Sequence, residues 1–252
     1  MSMTKKIRPW NFKQGFLILV SFTLLYISLS ALHMVWVKST IGFDEYIKND
    51  TDFYTKLLIA GQSIKAVAIF LTIYFIALKR YQLNWHQLGF VPTTKRWLLM
   101  AVLVAIVGFF LRLLLMKFMA YEMPEWARFM KPPLHNLHIS GAVLGAFLLL
   151  TIIITPVVEE VFFRGFLFQW MSGHRPVWLA AIVSSLMFGV SHIIPPQAIS
   201  AALMSLMIIA LYVYSRSLWP AIVCHMFNNA LSIGGNILAR MDRLPDYLMP
   251  PT

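Results

Sequence analysis

Long apolar runs, separated by short charged or proline-containing stretches, dominate this 252-residue chain. A transmembrane helix needs about 20 mostly apolar residues, because the hydrocarbon core of a bilayer is about 30 Å thick. The runs therefore predict an all-α fold, a polytopic transmembrane bundle of about seven to eight helices. The predicted spans are Gly15–Val37, Leu57–Leu78, Trp97–Met119, Ser140–Phe168, Val177–Ile194, Ala198–Tyr214 and Leu218–Leu238.

The composition excludes two other classes of protein. Only 12% of the residues are charged, whereas a soluble domain carries about a quarter. The net charge of +11 comes from short basic clusters beside the apolar runs, which is typical of membrane topology signals and not of a nucleic-acid interface. The single cysteine, Cys224, lies in an apolar run and excludes an internal disulfide.

The distribution of charge also predicts an orientation. Basic residues occur at the N-terminus and in the loops near residues 79–96, 174–175 and 216, which all fall on one side of the membrane. The acidic loop between the first two spans, residues 44–52, falls on the other side. Since basic loops stay in the cytoplasm, we expect a multi-pass protein of the cell membrane with a cytoplasmic N-terminus. The first span is too long for a signal peptide and lacks a cleavage site.

We expect three regions along the chain. Residues 1–139 comprise three spans and a loop, Ala120–His138, whose prolines and aromatic residues are typical of the membrane interface. Residues 140–240 form a core that contains the polar residues discussed below, and residues 241–252 form a short tail.

Ionisable side chains inside the predicted spans are the first candidates for function. Placing one at the centre of a bilayer costs about 2.5–3.5 kcal/mol even on insertion scales, so such residues are rare unless they are used. The candidates are two adjacent carboxylates, two histidines and four basic residues: Glu159, Glu160, His192, His225, Lys65, Arg112, Arg164 and the more peripheral Lys117.

The two carboxylates have different predicted roles. Glu160 and Arg164 are four residues apart with the acid first, which is the favoured orientation for an ion pair on a helix. Glu159 is turned about 100° away and lacks this partner. We therefore predict that Glu160 and Arg164 support the site, and that Glu159 is a general base.

Two further spans contribute polar residues at a similar predicted depth. His225 and Asn229 are one helical turn apart in the seventh predicted span and share a face. His192 lies in the fifth predicted span. Counting about 1.5 Å per residue from the intervening turns, we expect Glu159, His192, His225 and Asn229 to meet near one level.

Two kinds of hydrolytic chemistry suit such a cluster. In the first, Glu159 and His192 activate a water for attack on a peptide carbonyl, while His225 and Asn229 stabilise the oxyanion. In the second, His192, His225 and Glu159 bind a zinc ion with an open fourth position. We favour the first, which requires no cofactor, because the chain has no His-Glu-x-x-His motif and asparagine is a poor zinc ligand.

These residues form three short sequence motifs. The motifs are similar to those of the CAAX-protease and bacteriocin-processing (CPBP, or Abi) family of intramembrane endopeptidases. They are Glu159-Glu160-x-x-x-Arg164, Phe188-x-x-x-His192 and His225-x-x-x-Asn229, in the order that the family has them, within residues 156–235. The three N-terminal spans lie outside this resemblance.

The resemblance implies a membrane bundle of eight or so helices, with Glu159 as the catalytic base supported by His192, and His225 and Asn229 completing the site. Members of the family cleave prenylated CAAX proteins or act in peptide maturation and bacteriocin immunity. The family is classed among metallopeptidases, although a metal-independent glutamate mechanism is argued for some members. The implied partners are a peptide or protein substrate and the lipid bilayer, with no nucleic acid.

Two alternatives compete with a protease. One is a non-catalytic scaffold or bacteriocin-immunity protein on the same fold, but a scaffold has no need for costly polar groups in lipid. The other is a proton-coupled transporter, with Lys65 and Arg112 among its relay groups. The chain shows no interrupted helices in matched halves, which disfavours a transporter.

Overall fold

The computed structural model describes residues 9–40, 51–125, 141–192, 194–240 and 243. These residues form helices and connecting segments and contain no strand, which confirms the predicted all-α fold. The long helical segments are α1 (Phe12–Thr40), α2 (Thr51–Leu71, continued by a π-helix over Thr72–Leu78), α3 (Lys95–Glu122), α4 (Gly141–His174), α5 (Val177–Val190), α6 (Pro195–Ser215) and α7 (Leu218–Arg240).

Five of these segments are long and apolar enough to cross a membrane: α1, α2 with its continuation to Tyr81, α3, α4 and α6. The chain is a multi-pass membrane protein. The other two segments, α5 and α7, differ from this pattern for separate reasons. Helix α5 has only 14 residues, and α7 has 23 residues but carries several polar side chains.

Helix α5 ends earlier than the predicted span Val177–Ile194. Its last residue is Val190, and the backbone N–H of His192 donates a short-range hydrogen bond to the Gly189 carbonyl oxygen at 2.9 Å. Pro195 and Pro196 follow, and a residue before proline is disfavoured in helical conformation. His192 therefore lies just after the helix and not within it, which corrects its predicted placement.

The chain divides into two compact units, each described by itself. Unit 1 comprises Met1–Leu88 and Leu137–His174, and unit 2 comprises Gly89–Asn136 and Arg175–Thr252. In unit 1, α1 and α4 both pack against α2. Trp10, which is fully buried, donates a hydrogen bond from Nε1 to the Ala77 carbonyl oxygen at 2.9 Å and contacts Phe166 edge to face.

Helix α4 is one continuous 34-residue run, but it is not a regular α-helix throughout. A π-helix over Leu150–Ile154 precedes the short α-helix Thr155–Glu160, and a second π-helix over Val161–Phe168 follows it. Pro156 at the junction has no N–H to donate, so the ordinary hydrogen-bond ladder is interrupted there. Wide π-turns are rare and occur often at functional sites.

In unit 2, α3 packs against α6 and α7, and α6 packs against α5 and α7. Two glycines permit close approaches. Gly89 adopts a φ of 98°, and its carbonyl oxygen accepts a hydrogen bond from the Leu218 N–H at the start of α7. A Cβ on Gly189 would lie 2.5 Å from the Ala198 carbonyl oxygen, so glycine allows α5 and α6 to pack closely.

Some predictions concern residues outside the described ranges. These are the basic N-terminus before Pro9, the acidic loop at 44–50, the interfacial loop beyond Glu125, and the tail other than Arg243. The three regions predicted along the chain stay a prediction.

Candidate active site

Two of the predicted site residues lie on the short α-helix between the π-turns of α4. Glu159 is 3% exposed, and Glu160 is fully buried. The predicted pair on this helix is present, because Arg164 Nη1 donates a hydrogen bond to Glu160 Oε1 at 2.8 Å with both side chains inaccessible. A buried ion pair of this kind is costly to break, because removing one partner leaves an uncompensated charge.

Glu159 is paired by a residue from another helix. Lys65 of α2 donates a hydrogen bond from Nζ to Glu159 Oε1 at 2.5 Å, although the two residues are 94 positions apart. Lys65 is not among the predicted site residues, and no spacing rule connects it to Glu159. The available signal was its charge within an apolar span.

The contact between α2 and α4 contains further polar groups. Gln62 lies one turn before Lys65, and its Oε1 accepts hydrogen bonds from the hydroxyls of Thr151 and Thr155, each at 3.1 Å. Thr155 is in turn one helical turn before Glu159. These hydrogen bonds between α2 and α4 hold the two helices in register and thereby position the Glu159 carboxylate.

The other predicted site residues lie in unit 2, where they line a common cavity of about 80 Å³. His192, His225 and Asn229 all contribute to its wall, as does Asn228. Such a volume has room for a few water molecules, and the lining provides the polar partners that ordered waters require. His225 on α7 is only 4% exposed, so its side chain is buried and does not lie on the protein surface.

Phe188 positions both imidazoles. Its carbonyl oxygen accepts a hydrogen bond from His192 Nδ1 at 3.0 Å, and its ring contacts the rings of His192 and His225 at centroid distances of 5.0 and 5.6 Å. A carbonyl can only accept, so the proton of a neutral His192 lies on Nδ1 and its Nε2 is an acceptor.

Arg112 also lines this cavity, although it is not among the predicted catalytic residues. It lies on α3, and its Nη1 donates a hydrogen bond to Ser232 Oγ of α7 at 2.8 Å. Gln197 and Ser200 of α6 complete the polar lining. Of these residues, only Arg112 had a sequence signal, its charge inside a span.

The zinc alternative needs three ligands close together. Among the residues that the structure describes, no group of three or more His, Cys, Asp or Glu side chains is suited to hold a metal ion. The mechanism that requires no cofactor and the zinc alternative both stay predictions.

A comparison with protein families identifies the segment that contains these residues. Residues 141–231 match the model of the family described as type II CAAX prenyl endopeptidase, Rce1-like. This segment is similar to that family. The resemblance predicted from the motifs is confirmed, and the Rce1-like segment contains all three of them. Lys65 and Arg112 lie outside it. The chain matches no curated protein and no solved structure.

Glu159 belongs to unit 1, whereas His192, His225 and Asn229 belong to unit 2. The structure brings the latter three residues to one cavity and gives Glu159 an ion-pair partner. The predicted meeting of all four at a common depth stays a prediction.

Proposed function

We propose that this chain is an intramembrane endopeptidase that hydrolyses a peptide bond in a membrane-associated protein or peptide. The observation that carries the proposal is the cavity shared by His192, His225 and Asn229, within a segment of a family of endopeptidases. The buried Glu159 of the same Rce1-like segment supplies the carboxylate that such chemistry needs.

In the proposed mechanism, Glu159 takes a proton from a water molecule, and the water oxygen attacks the carbonyl carbon of the scissile peptide bond. His192 orients the water through Nε2, which accepts one of its hydrogens. The carbonyl oxygen becomes an oxyanion that accepts hydrogen bonds from His225 and the Asn229 amide. When the tetrahedral intermediate collapses, the proton held by Glu159 passes to the leaving amine.

The remaining polar residues have supporting roles in this proposal. Lys65 holds the Glu159 carboxylate in place through their ion pair. The buried pair of Glu160 and Arg164 holds α4 in shape beside the base.

The family description suggests a substrate class. A prenyl endopeptidase acts on lipid-modified protein ends, and a prenyl chain would keep such a substrate at the membrane, where the polar residues of the Rce1-like segment lie. We therefore propose a prenylated peptide as the first substrate to test. The basic loops support a cytoplasmic N-terminus.

The test uses the purified protein in lipid nanodiscs with a fluorogenic farnesylated CAAX peptide. We expect Glu159→Ala, His192→Ala and His225→Ala to abolish cleavage, and Asn229→Ala to lower kcat by about 10²–10³-fold. His174→Ala is a matched control, because this histidine lies at the end of α4, outside the motifs, and bonds to the Trp170 carbonyl. Full activity in Glu159→Ala would overturn the mechanism.

A second measurement covers a substrate that is not prenylated. Membrane and secreted peptides are compared by proteomics between cells with the wild-type chain and cells with Glu159→Ala. A peptide whose uncleaved precursor accumulates only in cells with Glu159→Ala supports the endopeptidase. Identical peptide profiles, together with no cleavage in nanodiscs, would favour a non-catalytic scaffold.

A further inference from the structure

Arg216 has a backbone conformation that is unusual for its residue type. It follows the last residue of α6 in the left-handed region, with a φ of 56° and a ψ of 24°. Its N–H donates a hydrogen bond to the Tyr212 carbonyl oxygen at 2.9 Å and closes the helix. Glycine is the usual residue at such a helix end, because a Cβ disfavours the left-handed conformation. The chain has an arginine there, and its side chain is exposed.

The turn that contains Arg216 is bound to the segment before α3. Ser217 Oγ donates a hydrogen bond to the Val91 carbonyl oxygen at 2.8 Å. The rings of Phe90 and Trp219 pack edge to face, with their centroids 5.5 Å apart. All of these residues belong to unit 2. The end of α6 and the start of α3 therefore lie at the same end of this unit.

Two further basic residues lie at this end. Lys95 and Arg96 are the first residues of α3, four and five positions after Val91, and both are exposed. The segments 89–97 and 215–219 contain these two residues and Arg216 as their only charged residues. We call Lys95, Arg96 and Arg216 the basic cluster.

The basic cluster lies at the level of a membrane surface. Helices α3 and α6 are both long and apolar enough to cross a bilayer, so the start of one and the end of the other lie near the lipid headgroups. Trp219, in the turn after Arg216, is 45% exposed. Tryptophan is enriched at the headgroup level of membranes, where its ring meets both lipid and water.

The same pairing of arginine and tryptophan occurs at the start of α5. Arg175-Pro-Val-Trp178 has the spacing of Arg216-Ser-Leu-Trp219, and Trp178 is 65% exposed. Helix α5 packs against α6 and is joined to it by a short connection, so the two helices run antiparallel. Helix α5 therefore begins at the end of unit 2 where α6 ends.

A topology signal alone does not account for Arg216. Such a signal requires basic residues near the end of a span and places no demand on the backbone conformation of the residue that carries the charge. Glycine at position 216 with arginine at either neighbour would provide the same charge without strain. A strained position that keeps a particular side chain is a candidate for function.

We propose that Arg216, together with Lys95 and Arg96, binds the headgroup phosphate of an anionic phospholipid. A guanidinium binds phosphate oxygens through two parallel hydrogen bonds, and clustered basic residues at a membrane surface attract anionic lipids. The bound lipid holds the starts of α3 and α7 at the membrane surface. None of the three residues belongs to the proposed catalytic set, so the lipid site is independent of the peptide chemistry.

The first arm of the test measures lipid preference. Purified protein in detergent micelles is equilibrated with equal amounts of dioleoyl phosphatidylglycerol and dioleoyl phosphatidylcholine, and the bound lipids are counted by native mass spectrometry. We expect the wild-type protein to retain more phosphatidylglycerol. Arg216→Gly should lower the ratio of the two bound lipids about fivefold, the effect of one cation at a membrane surface. Arg216→Lys should keep most of the preference.

Two controls separate the arginine side chain from backbone and total charge. Gln82 is exposed and has a φ of 54°, so Gln82→Gly makes the same backbone change without removing a charge. Lys38→Gln removes a charge from an exposed position at the end of α1, on the membrane surface predicted to be opposite. Both should keep the wild-type ratio. An unchanged ratio in Arg216→Gly, or an equal loss in Lys38→Gln, would overturn the inference.

The second arm measures stability in nanodiscs of phosphatidylcholine with and without phosphatidylglycerol. Since glycine accepts the left-handed conformation, Arg216→Gly in phosphatidylcholine alone should have a Tm at least as high as the wild-type Tm. Phosphatidylglycerol should raise the Tm of the wild-type protein and not that of Arg216→Gly, because a ligand stabilises only a chain that binds it. A lower Tm of Arg216→Gly in phosphatidylcholine would show that the arginine has a structural role and would contradict the proposal.

The third arm distinguishes a lipid from soluble anions. Inorganic phosphate or a hexaglutamate peptide is added to the protein in phosphatidylcholine nanodiscs at constant ionic strength. We expect neither to reproduce the rise in Tm that phosphatidylglycerol causes. An equal rise that is lost in Arg216→Gly would assign the basic cluster to a soluble anion, and the lipid proposal would be wrong.

Discussion

Lys65 on α2 and Glu159 on α4 form an ion pair at 2.5 Å, with the glutamate side chain 4% and the lysine side chain 16% exposed. One partner belongs to the Rce1-like segment and the other lies before it. The residue proposed as the general base therefore depends on a helix that the family motifs do not include. Two threonine hydroxyls of α4 donate hydrogen bonds to Gln62 Oε1 and hold the same pair of helices together.

Removing the lysine charge is expected to impair catalysis. In Lys65→Met the carboxylate of Glu159 loses its cationic partner in a nearly inaccessible position, so it is no longer held in place to abstract a proton. We expect kcat for peptide cleavage to fall at least tenfold, with Lys65→Arg intermediate. Lys56→Met, at an exposed position of the same helix, is the control and should remain active. A fully active Lys65→Met would exclude the proposed role.

The pair of Glu160 and Arg164 is expected to matter for stability more than for chemistry. Arg164→Ala leaves the fully buried Glu160 without its ion-pair partner, at a cost of about 3–5 kcal/mol. For a chain of this size, we expect a fall in Tm of roughly 10 °C. Thermal unfolding of the purified protein, followed by size-exclusion chromatography, measures this shift. Glu159→Ala in parallel should lose cleavage with a smaller fall in Tm, because the Lys65 side chain that it leaves without this partner is partly exposed. The opposite pattern would reverse the assigned roles.

Gly189 is expected to be essential for the position of His192. A Cβ there would lie 2.5 Å from the Ala198 carbonyl oxygen and 2.8 Å from the Ala202 Cβ, so α5 and α6 must separate to accept it. Overpacking of this kind costs about 1–3 kcal/mol. Since the His192 N–H bonds to the Gly189 carbonyl, we expect Gly189→Ala to reduce kcat at least tenfold.

The matched control for this glycine is Gly234→Ala on α7, where an added Cβ has no described atom within 4 Å apart from its chain neighbours and its own helix backbone. It should keep both activity and Tm. Equal losses in Gly189→Ala and Gly234→Ala would show that close packing of α5 on α6 is not the cause.

Metal dependence is tested with 1,10-phenanthroline, and its non-chelating 1,7 isomer serves as the control. On the metal-free mechanism, the rate of peptide cleavage is the same with either compound. A loss of activity with the chelator alone, followed by recovery on addition of zinc, would establish the zinc mechanism in its place.

The orientation is tested by cysteine labelling in a Cys224→Ser background. Gln82 is an exposed residue in the basic loop after α2, and a cytoplasmic loop is predicted there. In Gln82→Cys, a membrane-impermeant maleimide should react with broken cells and not with intact ones. Labelling in intact cells would invert the topology.

Much of this protein could be predicted from local pattern. The apolar runs predicted the helical segments, because a bilayer requires about 20 apolar residues in a helix that satisfies its own backbone. Glu160 and Arg164 could be paired from their spacing alone, because residues four apart on a helix are neighbours. The end of α5 was harder to predict, because Ser191 and His192 continue an acceptable pattern and only the following prolines mark the boundary.

The sequence by itself determined that this chain is a helical membrane protein with a few polar residues in the Rce1-like segment that are costly to place in lipid. The free energy of placing a side chain in the bilayer and the spacing of residues along a helix are local properties, so both follow from the sequence. Only the tertiary structure showed that Lys65 pairs with Glu159, and that Arg112 faces the cavity of His192, His225 and Asn229. These contacts join residues far apart in the chain. They depend on how helices rotate and pack against one another, which no short-range pattern specifies.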